Sequence, residues 1–262
     1  MYDSHMHTPL CRHAAGTPAE YVQAAKKAGL KGIVMTDHSP MPPWFDADVR
    51  MSLEELPFYH AMLEKTRAQA GDFYVGIGLE ADFHPGAESF VHKLVSAYPY
   101  DYIIGSVHYI GAWPFDNPEF AAEFEERDLR EVYAEYFKLV TQAARTGLFH
   151  SIGHLDLPKK FGHVPAEGYL DLAEEALQVI AGEGLSLDVN TAGWRKKVGE
   201  IYPSKAVLAR AFELEIPVVL GSDAHKPEEV GYRFQEAASV LKSVGYAEAR
   251  VFREGRAERY SL

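Results

Sequence analysis

Tyr2-Asp3-Ser4-His5-Met6-His7 is a short β-rich run that finishes in two side chains able to bind a metal ion. Val218-Val219-Leu220-Gly221-Ser222-Asp223-Ala224-His225 repeats that plan more than two hundred residues later. Side chains alternate along a strand with period two, so His5 and His7 share one face, as Asp223 and His225 do if their strand continues. Between these runs lie further strand candidates at Gly32 to Asp37, Tyr74 to Glu80, Tyr102 to His108, Phe149 to His154 and Leu185 to Asn190. Six of the seven runs end in a ligand-type residue: His5 and His7, then His38 after Asp37, Glu80, His108, His154, and Asp223 with His225. The run at Leu185 ends at Asn190 instead, and His13, in the loop after the first run, completes a set of nine. One such histidine alone reads as an ordinary core or surface residue. A set repeated at successive strand ends reads as a site.

Amphipathic helices separate the runs. Thr17-Pro18-Ala19-Glu20 supplies an N-cap, a proline at the first helical position and a capping-box glutamate, and that helix stops before Gly29. Ser52-Leu53-Glu54-Glu55 starts a second, ending near Gly71. Others are expected over 128–146, 166–181, 204–213 and 234–244, the longest supported by Leu129, Val132, Tyr133, Tyr136, Phe137 and Val140 at three- and four-residue spacing. Strand and helix in alternation mean parallel βα units. Seven units closing on themselves predict an α/β fold, a distorted (β/α)7 barrel over 1–262 as one domain, with its site at the C-terminal ends of the strands.

Composition limits the partners. With 47% hydrophobic residues the chain can fill a large core, and Lys+Arg 26 against Asp+Glu 38 leaves a net charge of −12. That charge repels nucleic-acid backbones and anionic membranes, so no nucleic-acid or membrane partner is expected, and an anionic substrate must meet a local positive centre. No basic leader and no apolar run of membrane-spanning length is present, and the one cysteine, Cys11, excludes an internal disulfide framework. The expectation is a cytoplasmic protein. A homo-oligomer stays open.

Imidazole and carboxylate without a thiolate cluster suit zinc, iron(II) or manganese, and a shared carboxylate holds two ions close together for phosphoryl chemistry. Nine ligands exceed the needs of one ion. His5-Met6-His7, Thr36-Asp37-His38, Gly78-Leu79-Glu80, Ser106-Val107-His108, Gly153-His154 and Ser222-Asp223-Ala224-His225 together resemble the PHP (polymerase and histidinol phosphatase) family, in order and over nearly the whole chain. The resemblance implies a distorted (β/α)7 barrel with three divalent ions, of zinc, iron, manganese or a mixture. By that resemblance one ion takes His5, His7, Glu80 and Asp223, a second shares Glu80 and adds His108 and His154, and a third takes His13, His38 and His225. Asp37 looks like an orienter of a ligating imidazole.

Pro9-Leu10-Cys11-Arg12-His13, Asp37-His38-Ser39-Pro40, Gly153-His154-Leu155-Asp156 and Asp188-Val189-Asn190-Thr191-Ala192-Gly193 are similar to stand-alone histidinol-phosphate phosphatases within that family. The resemblance implies hydrolysis of L-histidinol phosphate in histidine biosynthesis. Phosphate monoester hydrolysis demands about 20 kcal/mol of barrier reduction. The expected route is in-line attack by a metal-bridging hydroxide, with no phosphoenzyme, while the third ion and basic side chains hold the phosphoryl oxygens. Asp223, His225, His38 and Arg195 are the catalytic candidates. Arg195 also heads the phosphate-binding candidates, with Lys159, Lys160, Lys196, Lys197 and Arg12, because arginine suits bidentate phosphate contact. Trp44, Phe45 or Trp194 and Asp82 or Asp156 are candidates for the imidazole and ammonium of the substrate.

His60 and His92 inside helices, His163 in a loop and His150 early on its strand are read as structural or exposed, and Cys11 as a small buried hydrophobe. The alternatives are a PHP phosphoesterase for nucleotides or oligonucleotide ends, which would want a basic groove with stacking aromatics, an amidohydrolase-type metal hydrolase, from which Glu80 and the closing Asp-x-His separate this chain, and a non-catalytic metal-binding scaffold, which would have lost ligand motifs.

Overall fold

The computed structural model describes residues 1–46 and 48–262. Parallel strands β1 (Tyr2–Asp3), β2 (Gly32–Met35), β3 (Tyr74–Asp82), β4 (Tyr102–Ser106), β5 (Ser151–Ile152), β6 (Ser186–Asn190) and β7 (Val218–Gly221) pair each with the next. Helices α1 (Pro18–Lys27), α2 (Leu56–Gln69), α3 (Glu88–Val95), α4 (Leu129–Ala144), α5 (Leu170–Gly182), α6 (Lys205–Glu213) and α7 (Phe234–Val244) lie between and after them. The Thr17/Glu20 capping box that starts α1 is formed in both directions, and Ser52 with Glu55 caps the turn that leads into α2. Asp128, whose carboxylate accepts from the backbone N–H groups of Arg130 and Glu131, starts α4.

The sheet closes on itself at its C-terminal end. Ser4 N–H donates to Leu220 O at 2.9 Å, His7 N–H donates to Ala224 O at 2.9 Å, and Met6 bridges Ala224 in parallel. At the other end β1 and β7 part. An antiparallel hairpin of β8 (Glu248–Arg253) and β9 (Arg256–Ser261) fills the gap, with β8 joining β7 through Val219 and Arg250. The sequence reading missed this hairpin, because its alternating charges and short span carry no ligand motif. It also ran several strands too long: β1, β2, β4, β5 and β7 stop two or more residues short.

Period two divides the barrel into an inner and an outer face. Ile33, Met35, Ile77, Leu79, Ile103, Leu187, Val218 and Leu220 point outward into the shell packed against the helices. Val34, Tyr102, Ile104 and Val219 point inward and form an apolar floor together with Val251 and Phe252 of β8. Above that floor the same inward rows turn polar, through Thr36, Gly78, Ser106 and Asp188 to Glu80 and the histidines. Gly78 shows how crowded the interior is: a Cβ there would lie 2.2 Å from Tyr102 O.

Asp101 fastens the hairpin to the floor. Its carboxylate accepts from Ile77 N–H and from Glu254 N–H, both at 2.8 Å, and pairs with Arg67, while Tyr74 Oη donates to Phe252 O at 2.7 Å. Asp101→Ala would leave two inward amides without acceptors and free the hairpin. The expected loss is about 3 kcal/mol, a drop of several degrees in Tm measured by calorimetry, with α-helical circular dichroism retained.

Candidate metal centre

All nine ligand-type residues converge above the apolar floor, and Glu80, 1% exposed, is at their middle. Its two oxygens face different partners. Oε2 lies 3.4 Å from His5 Nε2, 3.6 Å from His7 Nε2 and 3.0 Å from His38 Nδ1. Oε1 lies 2.9 Å from His154 Nε2 and 3.5 Å from His108 Nε2, and accepts from Ser106 Oγ at 2.6 Å. Asp223 Oδ1 stands 3.1 Å from His7 Nε2 and 3.5 Å from His225 Nδ1. On the outer side the rings of His7, His13, His38 and His225 pack together, with centroids 4.1 Å apart for His7 and His225 and 4.7 Å for His13 and His225.

Asp223 and His225 reach this centre by a different route from the one expected. β7 ends at Gly221, and Asp223 takes a left-handed backbone, φ 52°. His154 is left-handed too, at φ 24°. Such conformations in non-glycine residues cost on the order of 1 kcal/mol and concentrate at functional sites. Here they turn the side chains back over the barrel mouth, and the Met6 to Ala224 bridge returns His225.

The outward ring nitrogens have fixed partners. His13 Nδ1 lies 2.7 Å from Cys11 O and His225 Nδ1 3.1 Å from Asp223 O, contacts that assign a proton to Nδ1 and leave each Nε2 with its lone pair. His5 Nδ1 meets Asp188 Oδ2 at 2.8 Å, His108 Nδ1 meets Asp82 Oδ1 at 2.6 Å, and His7 Nδ1 is 3.5 Å from Asp37 Oδ1. Asp37 in turn accepts from the N–H groups of Thr8 and His38, and Arg50 Nη1 donates to Asp82 at 2.6 Å. Asp188 is the functional residue the sequence reading overlooked, although its place two residues before the end of the ligand-free sixth strand, on the inward row, is the available signal.

Charge balance fits cation binding. Burial, with His38 and His7 adding to it, pushes the His13 imidazolium down to about 4, and burial beside His7 and His13 holds His225 well below its ordinary value. These rings are neutral at pH 7. Burial also opposes the His7 and His108 imidazoliums, but Asp223 and Asp37 draw His7 up to about 9, and Asp82 and Glu80 draw His108 up to about 9. Burial disfavours the Glu80 anion, yet His5, His38 and His108 hold its carboxyl well below the usual range. His5 Nε2 and His225 Nε2 are buried without a hydrogen-bond partner among the described residues. A metal cation would match these orphaned nitrogens and the carboxylates between them. Groups that bring ligand atoms within 4.8 Å of one another include His5, His7 and Glu80, and also His7, His38 and His225.

A cavity of about 260 Å³ opens over this centre, walled on one side by Lys160, Arg195 and Lys196. Arg195 Nη2 donates to Ser222 O at 2.9 Å and to Asp223 O at 3.0 Å, while Nη1 is buried with no hydrogen-bond partner among the described residues. Burial lowers the Lys196 ammonium, and Lys160 lowers it further, the signature of cations gathered in a small space.

Several expected contacts are absent. Lys159 is fully buried, its ammonium 2.7 Å from Glu200, 3.0 Å from Asp156 and 2.8 Å from Ile201 O, so it braces the loop after β5 and does not wall the cavity. Arg12 points outward and pairs with Glu55. Trp194 packs under Arg233, 4.4 Å from its ring centroid, and is also away from the cavity. Asp82 and Asp156 are committed to Arg50 and His108 and to Lys159, Tyr169 and Ser204. Trp44 is 62% exposed. Cys11 is buried, as expected, and burial pushes its thiol up to about 12.

Among the described residues no helix is long and apolar enough to cross a membrane. A PHP domain model matches residues 3–192. A Deinococcus radiodurans protein named probable histidinol-phosphatase is 58% identical over 244 residues, which cover 93% of each chain. The histidinol-phosphatase of Bacillus subtilis is 30% identical over 263 residues, covering 89% of this chain and 96% of the relative. The histidinol phosphate phosphatase of Lactococcus lactis, solved as a complex with zinc, L-histidinol and phosphate, shares the fold with TM-score 0.86 at 22% identity over 98% of each chain. With its motifs spread around one barrel mouth and the family model spanning most of its length, the chain belongs to the PHP domain family.

Proposed function

We propose that this chain hydrolyses L-histidinol phosphate to L-histidinol and phosphate in the cytoplasm, as one catalytic unit that depends on divalent metal. The observation that carries the chemistry is Glu80, whose two oxygens serve separate sets of imidazoles beneath a wall of three cations. The relatives named histidinol-phosphatase support the substrate. In this reading His5, His7, Glu80 and Asp223 hold one ion, Glu80, His108 and His154 a second, and His13, His38 and His225 a third. Bound ions, of zinc, iron or manganese, supply positive charge to the phosphoryl oxygens and make hydroxide available near neutral pH.

The chain's own side chains do the rest. Arg195 Nη1 and the ammonium groups of Lys160 and Lys196 bind phosphoryl oxygens and bring the ester into line. Asp188, Asp82 and Asp37 keep the rings of His5, His108 and His7 aimed inward. Asp223, which lines the cavity beside His7, is placed to take the proton released by water and pass it to the departing alkoxide.

Chelation should abolish phosphate release from L-histidinol phosphate, and zinc, iron or manganese should restore it; higher turnover of nucleotides or sugar phosphates in the same assay would reassign the substrate. Asp188→Ala should leave the barrel folded but lower metal affinity or activity by about 10- to 100-fold, read by metal analysis after dialysis alongside initial rates. Arg195→Lys keeps the charge but loses the fork that is anchored on Ser222 and Asp223. KM should rise by about tenfold in steady-state kinetics.

A further inference from the structure

We propose that Asp46, supported by Tyr109, is a specificity-determining residue that binds the cationic organic end of the phosphomonoester. The inference rests on the reading of the site as a histidinol-phosphate phosphatase. A second cavity, of about 450 Å³, opens from the metal centre and shares His13, His38, His108, Asp116, Lys160 and Lys196 with it. Beyond those shared walls its character changes. Tyr109, Phe161, Pro114 and Pro118 line it with the carboxylate of Asp46, and the shared Asp116 is its second carboxylate.

The carboxylates are not equivalent. Asp116 is matched within the protein: Lys160 Nζ lies 3.1 Å from Oδ2 and 2.6 Å from the backbone O of Asp116. Arg50, which lines the cavity as Lys160 and Lys196 do, spends its guanidinium on Asp82 at 2.6 Å and on Ser39 O, and touches Asp46 only at the backbone O, 2.8 Å from Nε. Asp46 accepts at Oδ2 from Tyr109 Oη at 2.7 Å and at Oδ1 from Asp48 N–H at 2.9 Å, both neutral donors. Among the described residues, no side-chain nitrogen of Lys, Arg or His pairs with its carboxylate.

Asp46, partly buried, thus presents to the cavity a carboxylate that has no cation partner among the described residues. An ammonium or protonated imidazole entering the cavity would complete it, with Tyr109 and Phe161 among the lining side chains. Arg195 lines only the first cavity and Asp46 only the second, so opposite charges meet the two ends of the substrate. The dianionic phosphate goes to the metal ligands, Arg195 and Lys196, and the cationic end goes to Asp46. A sugar phosphate brings no charge to Asp46, and a nucleotide adds negative charge beside it. This discrimination is built into the annex and does not involve the metals.

The test is the ratio of kcat/KM for L-histidinol phosphate to that for p-nitrophenyl phosphate, whose organic part is uncharged, in the metal-loaded protein and in its Asp46→Asn and Asp46→Glu variants. A ratio is insensitive to the fraction of protein that is folded. Asp46→Asn should lower it by about tenfold or more, the scale of a charge-assisted hydrogen bond, mainly through KM for histidinol phosphate, and Asp46→Glu should restore part of the loss. An unchanged ratio in Asp46→Asn, with the unsubstituted protein still preferring histidinol phosphate, would overturn the role of Asp46 and leave the function standing. A ratio near one in the unsubstituted protein would overturn the functional reading itself, and this inference with it.

Discussion

The structure is organised around one buried carboxylate. Glu80 sits at the axis of the barrel with almost no exposure, and taking an anion out of water costs several kcal/mol unless positive charge surrounds it. Five imidazoles and a serine hydroxyl within 3.6 Å provide that environment, each oxygen with its own subset. The histidines in turn need carboxylates behind them, because burial alone would hold them neutral and free to turn. Asp188, Asp82 and Asp37 serve that purpose, and Arg50 steadies Asp82. Charge thus alternates outward from Glu80 in shells. A bound dication fits among the inner donors in place of protons, which is why orphaned nitrogens and strongly shifted carboxylates occur together there.

That demand shapes the barrel. A polar upper interior cannot contribute the apolar burial that normally fills a closed parallel sheet, so hydrophobic stabilisation is displaced to the floor and to the shell beneath the helices. The floor is closed by an antiparallel hairpin rather than by an eighth βα unit. Phe252 and Val251 from β8 join the floor cluster, against which Tyr2 of β1 packs, and Asp101 locks the hairpin turn to β3. Closing the upper rim between β1 and β7 brings His5 and His7 against Asp223, a contact between residues more than two hundred positions apart.

Much of this was legible because strand periodicity and ligand chemistry coincide. His5, His7, Glu80 and His108 stand on inward rows whose period-two spacing can be read directly, and caps such as Thr17/Glu20 obey local rules. Asp223 and His225 were legible as chemistry but not as geometry, since a left-handed residue after Gly221, not strand continuation, brings them in. Asp188 was hidden by convention rather than by physics: a buried inward Asp beside a ligand-free strand end looks like core until the ring of His5 is seen against it. The β8–β9 hairpin was hidden because its pattern, polar on one face and short, is shared with many solvated loops.

Lys159 and Lys160 show where sequence reasoning stops. They are adjacent, equally basic, and follow the same strand-five motif, so composition and position treat them alike. The turn Leu157–Phe161 is a 3-10 helix, in which successive side chains diverge by about 120°. One step along it therefore separates Lys159, driven inward onto Asp156 and Glu200, from Lys160, left at the cavity wall against Asp116. The first ammonium is stabilised by partners inside the protein and is unavailable to an anion. The second holds a single carboxylate at the rim, with Lys196 and Arg195 lining the same cavity. A chain with a net charge of −12 concentrates positive charge at its metal centre this way, through the twist of one short turn and not through an excess of basic residues.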